Sequence, residues 1–164
     1  MRKPELHRYA PVGMRLNTEL WAFFLGLVIA VLFSLCFFVE LGSAYNQLFQ
    51  RLGDQRVLIP GAVMPDFDTL SLPWFVPFGI LTAITLSFIF PHYGCHHQGS
   101  KSIYLMRRLA DPRELHRRCL TLPLAGVGVC LLLAFMLLLL YFAVYLGVTP
   151  EECLTPNQWQ KIWR

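Results

Sequence analysis

Charge is scarce in this chain: Asp, Glu, Lys and Arg together make up 15% of its 164 residues, against about a quarter in an average soluble domain. That scarcity excludes an ordinary water-soluble surface. No Gly-Lys dipeptide occurs, so there is no phosphate-cradling Walker loop and the chain is not itself an ATPase. A disulfide framework is lacking too. Of five cysteines, Cys36 and Cys130 fall inside apolar runs, Cys95 and Cys119 fall on the side read below as reducing, and Cys153 alone lies outside with no obvious partner, its redox state open. The apolar runs contain no Lys, Arg, Asp or His, and Glu40 stands at the outer end of the first, where water is close. Ionisable groups at membrane depth mark proton relays and ion pathways, so their scarcity argues against an ion-coupled carrier.

What is present is apolar: 55% of the residues are hydrophobic and the mean hydropathy is +0.50. Three runs carry this, Trp21 to Val39, Leu72 to Phe90 and the longer Leu120 to Val148. At 1.5 Å per helical residue, the first two cover about 28 Å each, close to the roughly 30 Å thickness of a hydrocarbon layer. The third must tilt or protrude. The pattern predicts an all-α integral membrane protein, a single membrane domain over residues 1–164. Its transmembrane helices lie at about 21–39, 72–90 and 120–148, supplemented by amphipathic cytoplasmic and interfacial helices. The first run is preceded by Arg2, Lys3, Arg8 and Arg15 and followed by Gly42-Ser43-Ala44, which resembles a signal-peptide cleavage site. Its length exceeds the roughly 7–15 residues of a signal core, which favours a retained anchor.

Ten of the fourteen Lys and Arg residues fall in the N-terminal arm and in the loop at 91–119. The positive-inside rule places both in the cytoplasm, with the 40–71 loop and the 149–164 tail outside, in a multi-pass protein of the cell membrane. The net charge of +4 then reads as topology and attraction to lipid headgroups, with nothing to suggest a nucleic-acid surface.

Small residues recur every four positions: Ala22, Gly26, Ala30 and Ser34 in the first run, Gly79, Ala83 and Ser87 in the second, Gly126, Cys130 and Ala134 in the third. Such ridges let backbones approach and gain contact that lipid tails cannot match, so these helices are expected to pack on helices, within the chain or on a second subunit. Pro73 and Pro77 enter the second run early, and Pro123 with Gly126 and Gly128 loosens the start of the third. Beyond the first run, Leu41, Tyr45, Leu48, Phe49 and Leu52 keep helical spacing up to Gly53, an expected stop. In the tail, Thr149-Pro150-Glu151-Glu152 and Thr155-Pro156-Asn157-Gln158 each place Thr at a cap and Pro at the first helical position. Trp159, Ile162 and Trp163 then share a face, predicting a short interfacial helix.

The loop from Gln98 to Cys119, QGSKSIYLMRRLADPRELHRRC, carries most of the patterned charge. Ser100 or Ser102 is placed to cap a helix of about two turns on which Ile103, Met106 and Leu109 share a face, with Arg107 and Arg108 elsewhere. Asp111 caps a second helix with Pro112 at its first position and Glu114 at its third, a helix that should run unbroken into the third span.

These residues resemble the type-2 ABC exporter permeases, whose cytoplasmic loop between the second and third spans holds a coupling helix that docks into a separate ATPase. Gly99-Ser100, Ile103 to Leu109 and Asp111-Pro112-Arg113-Glu114-Leu115 follow that family's order, and the basic arm is similar to its membrane-lying N-terminal segment. The likeness covers about half the chain. It departs where His96 and His97 replace an acidic residue, and in having three spans where the family has six. It implies a reduced permease subunit or accessory, with an ABC ATPase and a further permease subunit as partners and lipid around it. Gly99, Ser100, Lys101, Ile103, Met106, Arg107, Arg108, Leu109, Asp111 and Glu114 would form the partner-binding surface, with no cofactor and no catalytic residue.

Competing readings are plainer. A basic loop with apolar spacing is also what a cytosolic connector looks like on anionic headgroups, and the chain would then be a non-transport assembly, regulatory or interaction protein. His92-x-x-Cys95 and His116-x-x-Cys119 have the donors for a tetrahedral zinc site, but the spacing is loose and no acidic second shell is evident. Histidines at headgroup level, His92, His96 and His97 among them, are the simpler account. Asp66 and Asp68 read as a solvated turn.

Overall fold

An apolar run satisfies its own backbone polar groups by coiling into a helix, and long helices dominate this chain. The computed structural model describes residues 16–52, 55–97, 113–156 and 158–161. In chain order these form α1 (Leu16–Ser34), α2 (Cys36–Gln47), β1 (Phe49–Leu52), β2 (Gln55–Leu58), α3 (Phe67–Ser87), α4 (Ile89–His97), α5 (Arg113–Val148), a 3-10 turn (Glu151–Cys153) and α6 (Gln158–Lys161). Three stretches, Asn17–Gln47, Phe67–His92 and Cys119–Val148, are long and apolar enough to cross a membrane. All three carry exposed large apolar side chains, among them Trp21, Val39, Phe90 and Leu132.

The helices overrun the apolar runs. A helix ends where caps and sterics end it, not where its side chains turn polar. Thus α1 begins before Trp21, and α3 begins at Phe67, five residues before Leu72. Pro73 and Pro77 lie inside α3 and Pro123 inside α5 without ending either helix.

The chain divides into two compact units. In the first, residues 1–29 and 78–132, Gly26 and Gly126 are contact points: a methyl group at residue 26 would stand 2.7 Å from Leu81 Cδ1, and one at residue 126 would stand 3.1 Å from Thr85 Cγ2 and 3.5 Å from Phe23 Cε2. Cys130 is fully buried there, its thiol 3.6 Å from the Phe78 carbonyl and 3.5 Å from the Thr82 hydroxyl.

The second unit, residues 30–77 and 133–164, holds a core of Phe37, Leu41, Leu48, Met64, Phe67, Tyr141 and Tyr145. Phe37 stacks on Tyr141 with ring centroids 4.9 Å apart and meets Phe67 edge-on at 5.8 Å. Ser34 donates to its own turn at Val31 O (2.7 Å) and lies 2.9 Å from the Tyr141 hydroxyl.

Two expectations are corrected in this unit. The helical spacing up to Gly53 does not persist: α2 stops at Gln47, and Phe49–Leu52 pairs antiparallel with Gln55–Leu58, Phe49 opposite Leu58 and Leu52 opposite Gln55. A Gly-Asp pair between two short strands with β-branched and aromatic members is a two-residue hairpin signal, and it outweighs an i, i+3/i+4 pattern that polar Gln50 and Arg51 already dilute. In the tail, Thr149 does not cap forward. Its hydroxyl turns back to the Tyr145 carbonyl at 2.7 Å, and the 3-10 turn starts after extended Pro150.

Candidate functional site

In the first unit one proline sets up a polar site. Pro123 has no N–H to give to the carbonyl four residues before it in α5, that of Cys119. The His92 Nδ1, from α4, lies 3.2 Å from that oxygen. The other ring nitrogen, Nε2, lies 3.1 Å from Glu19 Oε2 on α1. One imidazole therefore joins three helices, and the Cys119 thiol returns a long contact of 3.8 Å to the His92 carbonyl. His92 is 1% exposed and the Glu19 side chain 20%, so the pair is largely withdrawn from solvent with its carboxylate end still reachable.

The pair borders a cavity of about 200 Å³ whose other walls are mainly apolar, Phe23, Phe88, Leu122 and Val129 among them. Thr85 also lines it, but its hydroxyl donates to Leu81 O at 2.7 Å. Glu19 and His92 are thus the ionisable members of the lining, in a space large enough for a small apolar group.

The sequence reading set His92 at headgroup level and passed over Glu19. The structure buries His92, and both residues lie within stretches apolar enough to cross a membrane, Asn17–Gln47 and Phe67–His92. Periodicity held the signal. Glu19, Phe23, Gly26 and Ala30 share one helical face, and Phe78, Leu81, Thr85, Phe88 and His92 follow the same spacing across the turn at Phe88. An apolar run counted from Trp21 cut the first pattern short.

The expected ridges are divided. Gly26, Ala30, Ser34, Gly126 and Cys130 are buried or half-buried, Ala134 is half-buried, and Ala22, Gly79, Ala83 and Ser87 are exposed. No atom stands within 4 Å of a methyl group placed at Gly79, whereas Phe78, Leu81 and Thr85 of the same helix are buried. In the loop, Gly99, Ser100, Lys101, Ile103, Met106, Arg107, Arg108, Leu109 and Asp111 lie outside the described residues. Glu114 falls in the first turn of α5, its side chain outside the described set.

Of the two His-x-x-Cys pairs, His92 and Cys119 meet, but the imidazole faces the cysteine's carbonyl oxygen; the side chains of Cys95 and His116 lie outside the described set. Among the described residues no three His, Cys, Asp or Glu side chains are grouped to hold a metal ion. Among the described residues, Cys36, Cys130 and Cys153 are free thiols, Cys153 buried in the second unit's core.

The second unit holds another polar cluster, around Asp66. Its Oδ1 accepts from Lys161 Nζ (2.7 Å), Thr155 Oγ1 (2.7 Å) and Gln158 Nε2 (3.1 Å), while Gln158 Oε1 accepts from the Phe67 N–H at the start of α3 (3.1 Å). Gln158 Nε2 also bonds Thr155 Oγ1. Asp66 is therefore no solvated turn residue: it ties the tail to the N-terminus of α3. The Lys161 bond, then those of Thr155 and Gln158, hold its carboxyl below its ordinary value of 3.8 against the opposing effect of partial burial. These bonds join the tail to residues 66 and 67, so the cluster reads as a structural clamp.

No family model matches the chain, and neither a curated protein nor a solved structure is significantly similar to it.

Proposed function

We propose that the chain is a multi-pass cell-membrane protein, N-terminus cytoplasmic and C-terminus outside, and that it serves as a membrane subunit of an ABC-type export complex. A separate ABC ATPase would dock on residues 99–115 and a further permease subunit would complete the translocation unit, with lipid around both. The observation that supports this reading is the continuity of α5, one helix of 36 residues that starts at Arg113 directly after the loop. At 1.5 Å per residue it is about 54 Å long, well beyond a roughly 30 Å hydrocarbon layer, so a push on the loop reaches the apolar span through one continuous helix.

The test is a pull-down of the natively expressed protein in mild detergent, with co-purifying chains identified by mass spectrometry. An ATPase recovered at fixed ratio, and released by Ile103→Asp or Leu109→Asp, supports coupling. Asp111→Ala should remove about 1 kcal/mol of cap energy and weaken coupling more than protein level. The second reading, a non-transport assembly or interaction protein, draws on the exposed Gly79, Ala83 and Ser87 ridge, which offers a close-approach face to another helix. Recovery of an unrelated membrane complex without an ATPase would favour it.

A further inference from the structure

The cavity of the first unit exists because small residues stand where three helical segments meet. Gly126 and Ala125 of α5 supply no side chain and one methyl group, while Phe23 of α1, Phe88 between α3 and α4, and Leu122 and Val129 of α5 wall the space around them. The result is about 200 Å³ of room. Among its described lining residues the polar side chains are Glu19, Thr85 and His92, and each already has a partner in the chain. The Thr85 hydroxyl donates to Leu81 O at 2.7 Å, and the two His92 ring nitrogens lie 3.2 Å from Cys119 O and 3.1 Å from Glu19 Oε2. What an occupant meets is therefore hydrocarbon.

A void of this kind leaves its lining atoms without dispersion partners. Water is a poor filler, since an apolar protein cavity of about 150 Å³ stays dry and takes up benzene or xenon instead. The mouth decides which apolar molecule is at hand. Leu20, Ala125 and Val129 line the cavity and are also exposed, so it opens between α1 and α5 onto the apolar exterior of the spans. Leu122 and Val129 lie three and ten residues beyond Cys119, where the third span begins. The cavity thus runs from about 5 to about 15 Å into that span, within one leaflet of a roughly 30 Å hydrocarbon layer.

We propose that this cavity is a binding site for one acyl chain of a membrane phospholipid. The chain enters between Leu20 and Val129 and fills the space against Phe23, Phe88 and Gly126, completing the contact that Gly126 begins with Thr85 and Phe23. The site rests on the membrane reading given under the proposed function and needs no ATPase.

The experiment uses the full chain in nanodiscs of phosphatidylcholine, a fraction of which carries a photoactivatable diazirine midway along one acyl chain. After illumination, the residues joined to lipid are located by mass spectrometry. The expected result is labelling of half-buried Phe23 and Phe88 as well as of Trp21 and Leu132, which are exposed on the exterior. Val129→Phe narrows the mouth and should lower labelling of Phe23 and Phe88 about tenfold, with Trp21 and Leu132 unchanged. Leu131→Phe, exposed on the same helix but outside the lining, should leave both sets as in the parent. Labelling of Trp21 and Leu132 without Phe23 and Phe88, the outcome if a free small molecule or nothing fills the cavity, overturns the acyl-chain site and leaves the membrane reading standing. Labelling of neither set overturns both. Equal loss at both sets in Val129→Phe also counts against the site. Should Val129→Phe fail to fold, Leu20→Phe narrows the mouth from α1 and is held to the same outcomes.

Discussion

Asp66 receives a cation, a hydroxyl and an amide on one carboxylate oxygen, and these donors are not equal. Lys161 and Asp66 are each about a third exposed (32% and 33%), a setting in which an ion pair contributes about 1 kcal/mol or less. Gln158 is buried and serves both Asp66 and the Phe67 N–H, so its loss leaves buried groups unpaired, at a cost of about 1–3 kcal/mol. Gln158→Ala is therefore expected to release the tail to limited proteolysis more readily than Lys161→Ala. Because the native carboxyl titrates below its ordinary value, its contribution is whole above pH 3.8 and fades as pH falls below that toward the native value. In Asp66→Asn, proteolysis of the tail should lose this acid dependence. Tyr141→Phe removes the hydroxyl beside Ser34 but leaves the Ser34 bond to Val31, so a loss of about 0.6 kcal/mol is expected, near the average for side-chain hydrogen bonds between membrane helices. Thermal unfolding in detergent measures it.

At the scale of elements, Pro123 both weakens and organises α5. Pro123→Ala restores a donor to the Cys119 carbonyl and removes an interior proline, which costs a helix about 3 kcal/mol. The expected outcome is a more stable α5 with a loosened His92, read as higher thermal stability together with a changed His92 ¹⁵N signal. Gly126 sits against Thr85 and Phe23, so Gly126→Leu should overpack the contact by about 1–3 kcal/mol, whereas Gly79→Leu, with open space around it, should be nearly neutral in the isolated chain. A large effect of Gly79→Leu seen only in cell membranes would locate a partner helix there. The ridges at Gly26 and Gly126 were legible as small residues every four positions, and Gly79 displayed the same pattern. Periodicity identifies a face but not what covers it. The antiparallel pair of Phe49–Leu52 and Gln55–Leu58 was missed for a related reason: a short amphipathic run fits helix and strand periods alike, and the Gly-Asp connection decides between them.

At the scale of the whole molecule, apolar surface governs behaviour. Trp21 is 68% exposed, Val39 74% and Phe90 79%, a display that water does not tolerate and lipid does. The protein is expected to stay with membranes through alkaline carbonate washing and to leave only with detergent; release by carbonate alone would refute insertion. In lipid the usual hydrophobic gain of burial is lost, because acyl chains are as apolar as Leu. In a membrane, core contacts such as the Phe37–Tyr141 stack would act through packing rather than through exclusion of water.

The amino-acid sequence by itself determined the three long apolar helices, their order and the small residues that let them approach, because helix formation and length follow from local backbone satisfaction and side-chain period. Only the tertiary structure decided that Glu19, 73 residues away along the chain, meets His92, and that Asp66 gathers Thr155, Gln158 and Lys161. Those pairings depend on which faces of separate helices are turned together, a choice set by the summed packing of many contacts. No single stretch of sequence carries it.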